Sequence, residues 1–246
     1  MGVDLFYDHA TRPNHLQFPR QSWHHPPPLP AAVLSDMDGL LLDTETVSKR
    51  AFDVMTARHR FKDDGHIFMQ LIGRNKAAHQ AIFAETLPAS VNPVSFDDDW
   101  KALYLSMLED SVPVKPGARE LLEWLNRNGV PVALVTSSAR AKAVMLMQRA
   151  GLFDLLDDAV CGDDVSHGKP APDIYLKAAA RLDQPITDCL ALEDSANGVR
   201  AAHASGARVV QVVDMVPPDE NLLALGHEVV GSLAELSRHF GWGFTD

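Results

Sequence analysis

The apolar and polar positions of the chain fall into distinct regimes. Ala31 to Ser35 is a short apolar run, long enough for one buried strand. From 46 to 112 the apolar residues recur at helical spacing: Val47, Ala51, Val54 and Met55, then Ala77, Ala81 and Ile82, then Trp100, Leu103, Tyr104, Met107 and Leu108. Gly65, Gly73, Pro88 and Pro93 break this region into pieces, and no strand pattern lies within it. Asp97-Asp98-Asp99 reads as the first turn of a helix, where negative charge suits the helix dipole.

From Pro116 the pattern becomes a strict alternation. Pro116-Gly117 opens a helix with Leu121, Leu122 and Leu125 on one face, and Gly129 ends it. Val130 to Val135 is an apolar strand, and Ser137 or Ser138 is positioned to cap the helix that runs to Ala150-Gly151. Asp158 to Cys161 is a short strand, and Pro172 starts another helix. Cys189 to Leu192 is a strand that ends in Glu193-Asp194. Ser195 begins a helix that stops at Gly206, and Ala207 to Val213 is the last clear strand.

This order predicts an α/β fold: a Rossmann-like parallel sheet core, covered by helices on both faces, with an inserted helical cap domain. The core takes residues 31–45 and 113–246, and the cap takes 46–112. Residues 1–30 read as an N-terminal arm carrying His9, His15, His24, His25 and Pro26-Pro27-Pro28. The spacing of those histidines matches no common metal-ligand pattern.

Composition narrows the function. The chain has 246 residues, 46% of them hydrophobic, enough for a substantial core. A formal net charge of -11 argues against a nucleic-acid partner, which would require a basic face. It leaves room for a small anionic substrate held by a few local cations. The two cysteines, Cys161 and Cys189, read as buried free thiols. No apolar run reaches membrane-spanning length and no signal segment is visible, so the expectation is a cytoplasmic protein with no membrane partner.

Candidate chemistry sits at the strand ends, where a parallel sheet binds its ligands. Asp36 and Asp38 follow the first strand, and Gly39 turns the chain away. Two carboxylates this close repel, so one is protonated or a cation lies between them. Thr136, Ser137 and Ser138 follow the second strand, Glu193 and Asp194 a later one, and Lys169 lies in the loop His167-Gly168-Lys169-Pro170. Clustered acids suit Mg²⁺, and the lysine and hydroxyls suit a phosphate beside it. The stretch from Gly162 to Lys169 is not a P-loop, because five residues separate its glycines and Pro170 stands where Ser or Thr is needed. No dinucleotide glycine motif, zinc His-Glu-x-x-His or Gly-x-Ser-x-Gly elbow occurs.

Four segments in order carry a resemblance: Asp36-Met-Asp38-Gly39 with Asp43-Thr44-Glu45, Leu134-Val-Thr136-Ser-Ser, Gly168-Lys169-Pro170-Ala-Pro172-Asp173, and Glu193-Asp194-Ser195. Over about residues 31 to 215 the chain resembles the haloacid dehalogenase superfamily, in the branch of sugar-phosphate and nucleotide phosphatases related to β-phosphoglucomutase. The resemblance implies a magnesium-dependent phosphatase that acts on a small phosphate ester through an aspartyl-phosphate. It casts Asp36 as nucleophile, Asp38 as acid and then base, and Thr136 and Lys169 as partners of the transferring group. It places Mg²⁺ on Asp36, the Asp38 carbonyl, Asp194 and Glu193, the last directly or through water.

Ser137, with Arg74 and Lys76 of the cap, is the candidate set for substrate contacts. Asp43 reads as structural, Glu45 as lying near the cap hinge or the metal's outer shell, and Arg140 as either a phosphate contact or a surface arginine. The alternative is a phosphomutase. That branch uses a histidine at the position matching Ser48, and its absence here directs the phosphoryl group to water. A monomer or weak homodimer is expected.

Overall fold

The computed structural model describes residues 28–244 apart from 73 and 75; the N-terminal histidines of the sequence reading lie outside the described residues. Six parallel strands form one sheet in the order β3-β2-β1-β4-β5-β6. They are β1 (Ala32–Ser35), β2 (Val132–Val135), β3 (Asp158–Val160), β4 (Cys189–Glu193), β5 (Arg208–Val212) and β6 (Glu228–Val230). Burial follows the period of two. Val33, Leu134, Leu190, Leu192 and Val210 join one apolar cluster, whereas Leu34, Ala133, Val135, Ala191 and Val209 join another. Helices α5 (Ala118–Arg127), α6 (Arg140–Arg149) and α10 (Leu233–Phe240) cover the first face. Helices α7 (Asp173–Arg181), α8 (Ala196–Ser205) and the short α9 (Glu220–Leu223) cover the second. A strand buried on both faces needs apolar residues at every position, which is why these runs read so clearly.

Between β1 and β2 the chain forms α1 (Thr44–Arg58), α2 (His66–Leu71), α3 (Lys76–Thr86) and α4 (Pro93–Asp110). These helices share their own apolar cluster, centred on Phe52, Phe68, Phe83, Phe96 and Trp100. Phe52 and Trp100 meet edge to face at 5.3 Å, as do Phe83 and Phe96. The two connections to the sheet run side by side. Asp43 N donates to Pro113 O and Lys115 N to Leu41 O, each at 2.9 Å. The Lys115 ammonium binds Asp43 at 3.1 Å and also Asp214, beyond β5.

The structure adds one strand to the sequence reading and corrects two details of it. The sheet continues past Val213 with β6, a three-residue edge strand too short to announce itself, held by the Glu228–Arg208 ion pair and by Glu228 Oε2 facing His239 Nε2 at 2.5 Å. Helix α4 begins at Pro93, with Asn92 Oδ1 accepting from Val94 N and Ser95 N, so Asp97-Asp98-Asp99 lies beyond its first turn. Asp97 is buried there, facing His79 and Gln80. Neither Ser137 nor Ser138 caps α6. Asp163 Oδ1 accepts from Arg140 N at 3.0 Å, and Ser138 turns to Asp38.

Candidate active site

The chain runs outward from β1 through β2 and β3, then returns to place β4 on the other side of β1. Strand order therefore reverses beside β1, the point where parallel sheets bind ligands. A cavity of about 820 Å³ opens there, between the strand ends and the α1–α4 helices. Asp36, Asp38, Thr136, Ser137, Lys169 and Asp194 all line it.

Lys169 organises the floor. Its Nζ donates to Asp36 Oδ1 at 2.5 Å, to Glu193 Oε1 at 2.5 Å and to Val135 O at 2.9 Å, which uses all of its donors. The side chain is 4% exposed, and a charge so buried requires partners. Burial alone would depress the Lys169 pKa, but Asp36 and Glu193 outweigh it and hold the pKa above its ordinary value. Glu193 is saturated as well. Its Oε1 also accepts from Tyr175 OH at 2.6 Å, and its Oε2 accepts from Ser195 N at 3.3 Å and Ser195 Oγ at 3.1 Å.

Asp38 is held by two hydroxyls. Thr44 Oγ1 donates to its Oδ1 at 2.7 Å and Ser138 Oγ to its Oδ2 at 3.1 Å. Ser138 N in turn donates to Thr136 Oγ1 at 3.1 Å. The turn after Asp38 needs glycine twice over. Gly39 has φ 82°, and a Cβ there would lie 2.3 Å from Asp194 Oδ2.

The carboxylates outnumber the cations among them. Burial, with Glu193 and Asp38 adding and Lys169 opposing, pushes Asp36 up to about 8. Burial together with Asp36, Glu193, Asp214 and Glu45 raises Asp194 well above the carboxylate range. Burial, Asp38 and Asp214 push Glu45 up to about 7 against Lys142 and Lys115. Carboxylate oxygens of Asp36, Glu193 and Asp194 lie within 4.8 Å of one another. A cluster of hard oxygens short of positive charge fits a divalent cation such as Mg²⁺.

The candidates from the α1–α4 helices separate. Arg74 lines the cavity. Lys76 does not: its side chain is 61% exposed and pairs with Asp98 at 2.7 Å. Arg140 also turns away, to Asp164 at 2.5 Å and Ala159 O at 2.6 Å. Tyr175, Thr44, Lys115 and Lys142 were not singled out as site residues from the sequence. Each sits in a helix or linker whose pattern reads as core or surface. Only the fold reveals that Tyr175 reaches Glu193, or that Lys142 lines the cavity with its Nζ 5.3 Å from the Tyr104 ring centre.

A parallel sheet that presents buried acids around one buried ammonium at its switch point suits an anionic ligand beside a cation. Comparisons with known proteins place it further. The family model for haloacid dehalogenase-like hydrolases matches residues 30–206. A probable pseudouridine-5′-phosphatase of Drosophila melanogaster is 35% identical over 219 residues, covering 86% of this chain and 94% of that protein. The bifunctional riboflavin kinase/FMN phosphatase of Arabidopsis thaliana is 33% identical over 218 residues, 87% of this chain; the chain spans only 56% of that longer protein. A crystal structure of a HAD family hydrolase from Deinococcus radiodurans, with bound phosphate and sodium, superposes with TM-score 0.75 at 29% identity, covering 87% of this chain and 97% of that one. The chain belongs to the haloacid dehalogenase-like hydrolases. Among the described residues, no helix is long and apolar enough to cross a membrane.

Proposed function

We propose that this protein is a magnesium-dependent phosphatase that hydrolyses a small phosphate ester, a sugar phosphate or nucleoside monophosphate, through a phosphoryl group carried on Asp36. The observation that carries this reading is the pairing of Asp36 with Lys169 at 2.5 Å on the cavity floor, with Asp38 lining the same cavity. Asp36 Oδ attacks phosphorus as the bond from phosphorus to the ester oxygen breaks. Asp38 gives its proton to the leaving oxygen, then takes one from the water that attacks the Asp36 phosphoryl group. Inorganic phosphate leaves and Asp36 is restored.

The Thr136 hydroxyl and Ser137 hold the phosphoryl oxygens, and Lys169, whose donors lie on Asp36, Glu193 and Val135 O, balances the charge of Asp36 and of the group it carries in the transition state. Mg²⁺, when bound, would supply the positive charge that lets Asp36 ionise and that neutralises the phosphoryl oxygens. Asp36, the Asp38 carbonyl and Asp194 would hold it. Glu193, whose oxygens already serve Lys169, Tyr175 and Ser195, would act through water.

The helices α1–α4 serve as the cap that closes over the substrate, with Arg74 facing its leaving group. The cavity, at about 820 Å³, is of a size for a nucleotide or sugar phosphate. A mutase is not preferred, because Ser48, which lines the cavity, stands at the position of that branch's histidine. The test is phosphate release from a panel of such esters with Mg²⁺. The wild type is expected to release phosphate and Asp36→Asn is not; an Asp36→Asn variant with full activity would refute the proposal.

A further inference from the structure

Gln211 is a polar side chain in an apolar strand. It is 1% exposed, and it stands opposite Glu193 in the last pair of the β4–β5 ladder. Its Nε2 donates to the main-chain oxygen of Asp194 at 2.9 Å, and its Oε1 lies 2.9 Å from His227 Nε2. A carbonyl oxygen only accepts, so the amide nitrogen must face Asp194. The amide oxygen then faces His227, which must carry its proton on Nε2. His227 Nδ1 is buried with no hydrogen-bond partner among the described residues. Burial and His203 hold the His227 pKa below its ordinary value, which keeps the ring neutral with one proton to give.

The position of this chain of bonds gives it a purpose. The backbone ladder ends at the pair Glu193–Gln211, and Asp194 is the next residue of β4's chain. Its peptide spans the gap between the strand and Ser195, the cap of α8. The Gln211 side chain supplies the rung that the backbone does not. Without it, the Asp194 peptide can rotate, and the carboxylate it carries rotates with it.

We propose that Gln211 is a positioning residue for the cation site: oriented by His227, it fixes the Asp194 peptide and thereby aims the Asp194 carboxylate. This rests on the magnesium reading above. Outer partners of this kind contribute roughly 10- to 100-fold in metal affinity. His227 acts one bond further out and contributes less.

The test is calorimetric titration of the full chain with Mg²⁺ alone, beside the melting temperature of the metal-free protein. Gln211→Met is expected to weaken the Mg²⁺ Kd about tenfold, and His227→Ala a few-fold. The double variant is expected to match Gln211→Met, because both act through one bond. The metal-free melting temperature of His227→Ala is expected to stay near that of the wild type, which separates positioning from general loosening. Should Gln211→Met fail to fold, His227→Ala alone decides. An unchanged Kd in the folded variants, additive losses in the double variant, or a wild-type chain that binds no Mg²⁺ would each overturn the inference. Turnover is not the readout. A chain that releases no phosphate yet shows this Mg²⁺ dependence would refute the proposed function and leave the role of Gln211 standing.

Discussion

Gly198 and Glu193 are packed so closely that a Cβ on Gly198 would lie 1.9 Å from the Glu193 carboxyl carbon. Gly198 is buried near the start of α8, where alanine would ordinarily favour the helix by up to about 1 kcal/mol. Here the contact decides the sign. The added methyl must displace a fully buried carboxylate that serves Lys169, Tyr175 and Ser195 together. Gly198→Ala is expected to destabilise the protein by about 1–3 kcal/mol in denaturant titration and to cut activity with it. A stabilised variant would show that Glu193 is not confined in this way.

Tyr175 provides a milder test of the same carboxylate. Its hydroxyl donates to Glu193 Oε1, and the ring is fully buried. Tyr175→Phe removes one hydrogen bond to a charged acceptor and leaves the packing intact. A loss of roughly 1.5–3 kcal/mol is expected in thermal or denaturant unfolding.

Lys115 ties together the two linkers of the α1–α4 helices through Asp43 and anchors them to Asp214. Lys115→Met leaves the two carboxylates facing each other without their shared ammonium. If the helices close over the substrate by pivoting on this ribbon, catalytic efficiency should fall about tenfold, as a shift of the reacting groups by an ångström would produce. Steady-state kinetics on the ester that the phosphate-release panel selects would measure it.

The carboxylate cluster sets the pH dependence of the metal-free protein. Asp36 is raised from 3.8 to about 8 and Glu45 from 4.5 to about 7, with burial the largest cause in each. Between those values the folded state holds protons that the unfolded state has released. Stability therefore falls as pH rises through the window from about 4 to 8. The melting temperature without metal is expected to be higher at pH 5.5 than at pH 7.5, and Mg²⁺ should narrow the difference by stabilising the ionised carboxylates. A metal-free protein that gains stability across that range would contradict these shifts.

What the sequence revealed and what it hid follow from the range of the interactions. The strands buried on both faces appear as unbroken apolar runs, and the polar residues directly after β1, β2 and β4 mark the cleft because the sheet brings strand ends together. The pairing of Lys169 with Asp36 spans 133 positions, yet both were legible from their loop and strand end. Tyr175 was not. A tyrosine among core residues of α7 looks like packing, and only the tertiary contact with Glu193 gives it other work. Ser138 reads both as a cap and as one of the hydroxyls at the strand end; it faces Asp38 and does not cap α6. Gly198 inside a helix and Gln211 inside an apolar strand did carry a signal. Each breaks the local rule of its element, and each does so to meet Glu193 or Asp194.

The central claim is that Asp36 carries the phosphoryl group between ester and water. Rapid acid quench of the protein during turnover with Mg²⁺, followed by peptide mass mapping, tests it most directly. The expected result is a phosphoryl adduct on Asp36 that forms before phosphate accumulates, disappears as substrate is exhausted and is absent from Asp36→Asn. Steady release of phosphate with no adduct on Asp36, or with an adduct on another residue, would contradict the account.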